Sequence, residues 1–135
     1  MLIDAKPIAA AFWQAYNAAD WAALRAMVTL GYVHHNGDAE THDIEFFIAG
    51  ATGLRLALPE LQIEIRDMIA QDDRVAVRWV ARAIHTGSLF GERPTGRLVT
   101  VDGVTIHRVL DTRIAEDWEV MNEGALRDQL VAPAG

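Results

Sequence analysis

The groups able to move protons in this 135-residue chain are five histidines and nineteen Asp and Glu, and there is no cysteine. The missing thiol removes disulfides, thiolate metal sites and cysteine nucleophiles together. Two groupings have the types and spacing for acid–base work. The first is Tyr32-x-x-His35-Asn36, in which a histidine titrating near neutrality can take or give a proton. The second is the alternating row Ile114, Glu116, Trp118, Val120 and Asn122. Residues two apart on a strand share a face, and the apolar members mark this row as buried. Glu116 and Asn122 then point inward and need partners. Arg108, in a neighbouring row with Val104, Ile106 and Leu110, is a candidate partner across an antiparallel hairpin. The catalytic candidates are therefore His35, Arg108 and Asn122. His35 would abstract a proton beside a carbonyl, while Arg108 and Asn122 would hold the resulting oxyanion. The same residues serve equally as a satisfied structural network.

Other constellations carry less. His34, His35 and His42 match no metal-ligand spacing, so no metal is expected. Gly91-Glu92-Arg93-Pro94-Thr95-Gly96 lacks the Gly-Lys-Ser/Thr ending of a phosphate loop and leads into a strand. No Gly-x-Ser-x-Gly elbow supports serine hydrolysis. His85 ends the face of Val75, Val77, Trp79, Ala81 and Ala83, near a pocket mouth or in a structural role beneath the glycine-rich loop.

The elements that must position these residues divide into helices first and strands after. Pro7 tolerates an early helical position, and Ile8, Phe12, Ala15 and Tyr16 recur at helical spacing. Asp20 is a plausible N-cap for a second helix burying Trp21, Leu24 and Val28 and stopping before Gly31. A third helix is predicted from about Asp43 to Leu58. Strands follow at Leu61–Ile65, Val75–Ala81, Leu98–Leu110 and Ile114–Met121, with a bulge or bend expected at Gly103. A short helix begins near Asn122. This order predicts an α+β domain whose curved antiparallel sheet wraps the helices and leaves a pocket suited to a small apolar molecule.

Composition narrows the classes further. Twelve Lys and Arg against nineteen Asp and Glu give a net charge of −7, which repels phosphate backbones and argues against nucleic acid. No apolar run approaches a membrane span of about 18 residues. The acidic start Met1-Leu2-Ile3-Asp4 is unlike a signal peptide, so a cytoplasmic location is expected. Neither a repeat nor a linker divides residues 1–135, which reads as one domain.

The ordered series Tyr32-x-x-His35-Asn36, His85-Thr86-Gly87, Pro94-Thr95-Gly96-Arg97, Ile106-x-Arg108, Arg113-Ile114-x-Glu116-x-Trp118-x-x-x-Asn122 and Leu126-x-x-Gln129-Leu130 resembles the SnoaL-like polyketide cyclases. These belong to the nuclear-transport-factor-2-like superfamily of conical α+β barrels. The resemblance implies cofactor-free aldol chemistry with an aspartate at the end of the last strand as acid/base and a basic residue on the neighbouring strand. By residue order these positions fall on Asn122 and Arg108. An amide hydrogen-bonds a carbonyl but abstracts no proton, so the base would be His35 or Glu116, or the protein would bind a ligand without chemistry. Epoxide opening, found in a distant branch, needs a second carboxylate beside Arg108; Asp102 qualifies only if Gly103 makes no bulge. The expected pocket lining is Trp13, Tyr16, Tyr32, Trp79, His85, Glu116 and Trp118. A small-molecule substrate or ligand, no cofactor and a homodimer through the sheet's outer face complete the expectation.

Overall fold

The computed structural model describes residues 4–37 and 40–131. Three helices lie in the first half of the chain, each started by an aspartate. Asp4 accepts from the Lys6 amide (3.1 Å) ahead of α1 (Ala5–Asn17). Asp20 accepts from Ala23 (3.1 Å) ahead of α2 (Trp21–Ala26). Asp43 accepts from Phe46 (2.8 Å) ahead of α3 (Ile44–Ala57). Each cap satisfies an amide that the first turn leaves without a partner. The first and third helices match the sequence reading. The second is shorter than predicted: it ends at Ala26, and Val28 already opens the strand β1 (Val28–Asn36), which runs through Gly31. Pairing with the last strand decides this, as Val28 lies opposite Ile114 and the Ile114 amide donates to Met27 O (2.9 Å).

The remaining elements are β2 (Glu40–His42), β3 (Gln62–Gln71), β4 (Arg74–Ile84), β5 (Leu98–Leu110), β6 (Arg113–Met121) and α4 (Glu123–Val131). They form one six-stranded sheet of order β2-β1-β6-β5-β4-β3. Its β3 to β6 portion is the predicted antiparallel meander. The β1–β6 pair is parallel, so the sheet is mixed, a feature the strand count from sequence did not contain. One face packs on the helices. Phe12, Trp13 and Tyr16 of α1 meet Val75, Val77 and Trp79 of β4 and Val99 and Val101 of β5 in a single core.

Two local features place the functional side chains. Gly103 makes no bulge, because the β4–β5 register runs unbroken through Trp79↔Gly103. A Cβ there would lie 2.4 Å from the Trp79 ring, so the glycine lets the indole lie flat over the strand. The bulge falls instead on the β5–β6 hairpin, between Arg108/Glu116 and Val109/Ile114. Ile114 and Ala115 are both buried, and the extra residue flips the alternation beyond them. The inward row of β6 is therefore Asp117, Glu119 and Met121, and the outward row is Glu116, Trp118 and Val120. The sequence reading started correctly from buried Ile114 but carried period 2 straight across the bulge. In β5 the inward row is Val101, Gly103, Thr105 and His107, and Val104, Ile106 and Arg108 face out.

Candidate functional site

The concave face and the helices enclose a cavity of about 180 Å³. Its walls are aromatic and aliphatic: Trp13 and Tyr16 from α1, Phe46, Phe47 and Leu54 from α3, Trp79 from β4 and Val101 from β5. Its polar groups are few. His34 and Asn36 come from β1, His42 from β2 and Glu119 from β6. An apolar chamber with a few convergent polar groups is the usual form of a small-molecule site.

Glu119 is the chemically distinctive group. Its carboxyl is pushed up to about 7, first by loss of solvation and then by the Asp117 carboxylate, against a smaller lowering by the Thr105 hydroxyl. The residue keeps partial exposure because its head opens into the cavity, yet the surrounding atoms are protein rather than bulk water. The only side-chain hydrogen bond to it among the described residues comes from Thr105 Oγ1 (3.3 Å), which itself accepts from Trp79 Nε1 (3.0 Å). A carboxyl poised near neutrality in an apolar pocket can deliver a proton to a reacting oxygen.

Behind Glu119 lies a buried network with a determinable proton arrangement. Trp13 Nε1 donates to His107 Nε2 (3.0 Å), so that nitrogen carries a lone pair and Nδ1 carries the proton. Nδ1 donates to Asp117 Oδ1 in a short contact. The Tyr32 hydroxyl donates to the other oxygen, Oδ2 (2.6 Å). Asp117, fully buried, is thus an acceptor at both oxygens, as a carboxylate taken out of water requires. Burial and this carboxylate push the Tyr32 hydroxyl far above its usual range.

Tyr32 relays this arrangement to the cavity. Its one proton goes to Asp117, so the 3.4 Å contact between Tyr32 Oη and His34 Nδ1 requires the imidazole to donate. His34 Nε2 is left with the lone pair, and the residue lines the cavity. Desolvation is the largest influence on His34 and holds it below the usual histidine range, opposed by Asp117 and aided by His42 and His35. His34 is accordingly neutral and basic at Nε2. It pairs with Asp117 in the parallel register, and Glu119 lies two residues further on, opposite Asn36. The two positions are offset by two residues along the strands, about 7 Å of backbone, and both side chains line the same cavity. Tyr16, pushed up to about 12 by burial and then by Glu119, adds a neutral hydroxyl to the lining.

The structure places the sequence candidates differently. Trp13, Tyr16 and Trp79 line the cavity as expected. Tyr32 is buried one layer behind it. His35, Arg108, Glu116 and Trp118 do come together, but on the outer face. Glu116 Oε2 is 2.6 Å from His35 Nε2, its Oε1 accepts from Arg108 Nε (3.1 Å), and His35 stacks on Trp118 at 5.2 Å. The Arg108–Glu116 pairing read from the hairpin is therefore present, turned outward by the bulge. The His35 contact, more than the arginine, holds the Glu116 carboxyl below its ordinary value. Asn122 is exposed: it accepts from Ala125 N (3.3 Å) at the start of α4 and donates to Asp102 Oδ1 (3.3 Å). His85 is buried away from the cavity, its Nδ1 accepting from Thr95 N (3.1 Å). Asp102 shares the outer face of Arg108 but lies six residues along the strand, too far to share a ligand with it. Among the described residues, no three of His, Asp and Glu converge as metal ligands.

His107, Asp117 and Glu119 were the residues the sequence reading missed, and it ranked His34 behind His35. A signal for them existed. Thr105 and His107 alternate on β5 and face Glu119 and Asp117 on β6, so two polar pairs stack across the hairpin once its bulge is known.

Comparison with known proteins agrees with this architecture. The sequence pattern of the SnoaL-like polyketide cyclases matches residues 7–130, and the chain belongs to that family. Among solved structures, IdmH of Streptomyces antibioticus, a candidate polyketide cyclase, is 27% identical, with a TM-score of 0.88 over 96% of this chain and 100% of that one. AclR of Streptomyces galilaeus, a candidate hydroxylase, is 28% identical with a TM-score of 0.86, covering 96% and 83%. TsrD of Streptomyces laurentii shares the fold at 24% identity and a TM-score of 0.82, covering 97% and 99%. No curated protein sequence matches significantly.

Proposed function

We propose that the cavity performs cofactor-free acid–base chemistry on a small, largely apolar carbonyl compound, of the aldol-cyclase or isomerase type. His34 is the base and Glu119 the acid. His34 Nε2 takes a proton from the carbon beside a carbonyl. The enolate carbon attacks a second carbonyl of the same molecule, and Glu119 protonates the alkoxide that forms. The proton on His34 then returns to Glu119 through solvent, so the cycle closes without a redox partner. For an isomerisation, the same two groups move a proton from one carbon to another. The carrying observation is the Glu119 carboxyl pushed up to about 7 in the same apolar chamber as a neutral histidine. The family match and the resemblance to a candidate cyclase support the reaction type.

The alternative of a purely binding module rested on Asn122 standing where an acid/base aspartate was expected. Asn122 is outside the cavity, so that argument no longer bears on catalysis. The test is a panel of small dicarbonyl compounds followed by NMR. Wild type is expected to accelerate ring closure or proton exchange, and His34→Ala to reduce it by roughly 10²–10⁴-fold. Equal rates for the two proteins would remove the assignment. Pairing of two copies through the outer sheet face is supported by Val104 and Val120, cross-strand neighbours that are both exposed; analytical ultracentrifugation distinguishes a monomer from a dimer.

A further inference from the structure

The rim of the cavity is formed by its exposed lining residues, among them Phe46 on α3 and Phe90 on the β4–β5 connection. That connection is held firmly at its base. The amides of Thr86 and Gly87 both donate to Ala57 O (3.0 Å each) at the end of α3, and a side chain at 87 would meet Leu56 O at 2.4 Å. His85 N donates to Arg97 O (2.9 Å) and Gly96 N to His85 O (2.8 Å). The tip is built differently. Phe90 and Gly91 both take the left-handed conformation, φ 52° and 78°, and reciprocal bonds between Leu89 and Glu92 (3.0 and 2.9 Å) close the turn on itself. Phe90 thus sits at the apex of a self-contained hairpin. One face of its ring meets the Arg127 guanidinium of α4 at 3.9 Å, and the ring closes part of the cavity mouth. A non-glycine residue at positive φ carries a conformational cost, so holding the ring over the mouth needs a compensating contact. The cation–π contact with Arg127 supplies one. Arg127 is itself oriented by Glu123, one helical turn back (3.5 Å).

We infer that Phe90 gates the cavity and that Arg127 is the latch holding it closed. The gate decides which molecules reach the chamber and how fast they exchange. The inference rests on the cavity being the ligand site proposed above, but its test needs no substrate. Trp13 and Trp79 line the cavity, whereas Trp21 and Trp118 do not. In a Trp21→Phe/Trp118→Phe background, acrylamide quenching of fluorescence therefore reports entry into the chamber. Phe90→Ala and Arg127→Leu are each expected to raise the quenching constant several-fold, with unchanged circular dichroism. Arg127→Lys, which keeps a cation over the ring, is expected to stay near the parent value, a rescue that a merely structural loss of packing would not give. Parent-level quenching in Arg127→Leu would overturn the latch, and parent-level quenching in Phe90→Ala would overturn the gate. Neither result would alter the assignment of His34 and Glu119, whose failure would be seen in turnover.

Discussion

Replacing Glu119 by Gln should make the protein more stable, by an amount that grows as pH rises from about 5 to 7. The folded protein holds this carboxyl at about 7 against an ordinary 4.5, chiefly through loss of solvation. Between those values the folded state binds a proton that the unfolded chain has released, so stability falls as pH rises through that window. Each pH step costs about 1.4 kcal/mol, so the loss approaches roughly 3 kcal/mol above pH 7. Glutamine is nearly isosteric and never ionises, and its amide keeps an oxygen for the Thr105 hydroxyl. Urea unfolding of both proteins from pH 4 to pH 8.5 isolates the term, because all other titrations common to the two cancel in the difference. The difference should be near zero at pH 4, grow through pH 5 to 7 and level off above it. A flat difference, or one favouring wild type at pH 8, would refute a desolvated Glu119 and with it the acid assigned to the site.

Three further outcomes follow from the same geometry. The pH–rate profile should be bell-shaped, falling on the alkaline side near 7 as Glu119 loses its proton and on the acid side below the usual histidine range as His34 gains one; a profile flat from pH 5 to 8 would contradict both roles. Gly103→Ala should destabilise the fold by about 1–3 kcal/mol, because its Cβ would lie 2.4 Å from the Trp79 ring and 2.8 Å from Val120 O; thermal unfolding at the wild-type temperature would show that the indole can move aside. Tyr32→Phe removes a donor to buried Asp117 and should cost about 1–3 kcal/mol, read by urea titration, with turnover falling as the His34 tautomer loses its support; unchanged stability would mean the hydroxyl is not needed there.

Much of the fold was legible because apolar periodicity and caps are local signals. Asp20 and Asp43 mark helix starts, and the alternation Val75, Val77, Trp79, Ala81 fixes the inward face of β4 without ambiguity. The site was less legible because it hangs on one inserted residue. Ala115 carries no mark of its own, yet its place in the bulge turns Glu116 and Trp118 out and Asp117 and Glu119 in. Trp118 reinforced the misreading, since a large aromatic ring suggests a core; on the outer face it is covered by His35 and by the Arg74 guanidinium at 4.9 Å. The parallel β1–β6 pair is equally silent in sequence, because it joins residues far apart in the chain, and it brings His34 beside Asp117.

The central claim is that the chemistry sits on the concave face rather than among the outward polar residues. Deuterium incorporation from D₂O into the enolisable carbon of a dicarbonyl substrate, compared between His34→Ala and Arg108→Ala, tests it most directly. The account predicts that His34→Ala loses exchange and turnover together, while Arg108→Ala keeps both. Loss in Arg108→Ala with activity retained in His34→Ala would place the chemistry on the outer face and contradict the account.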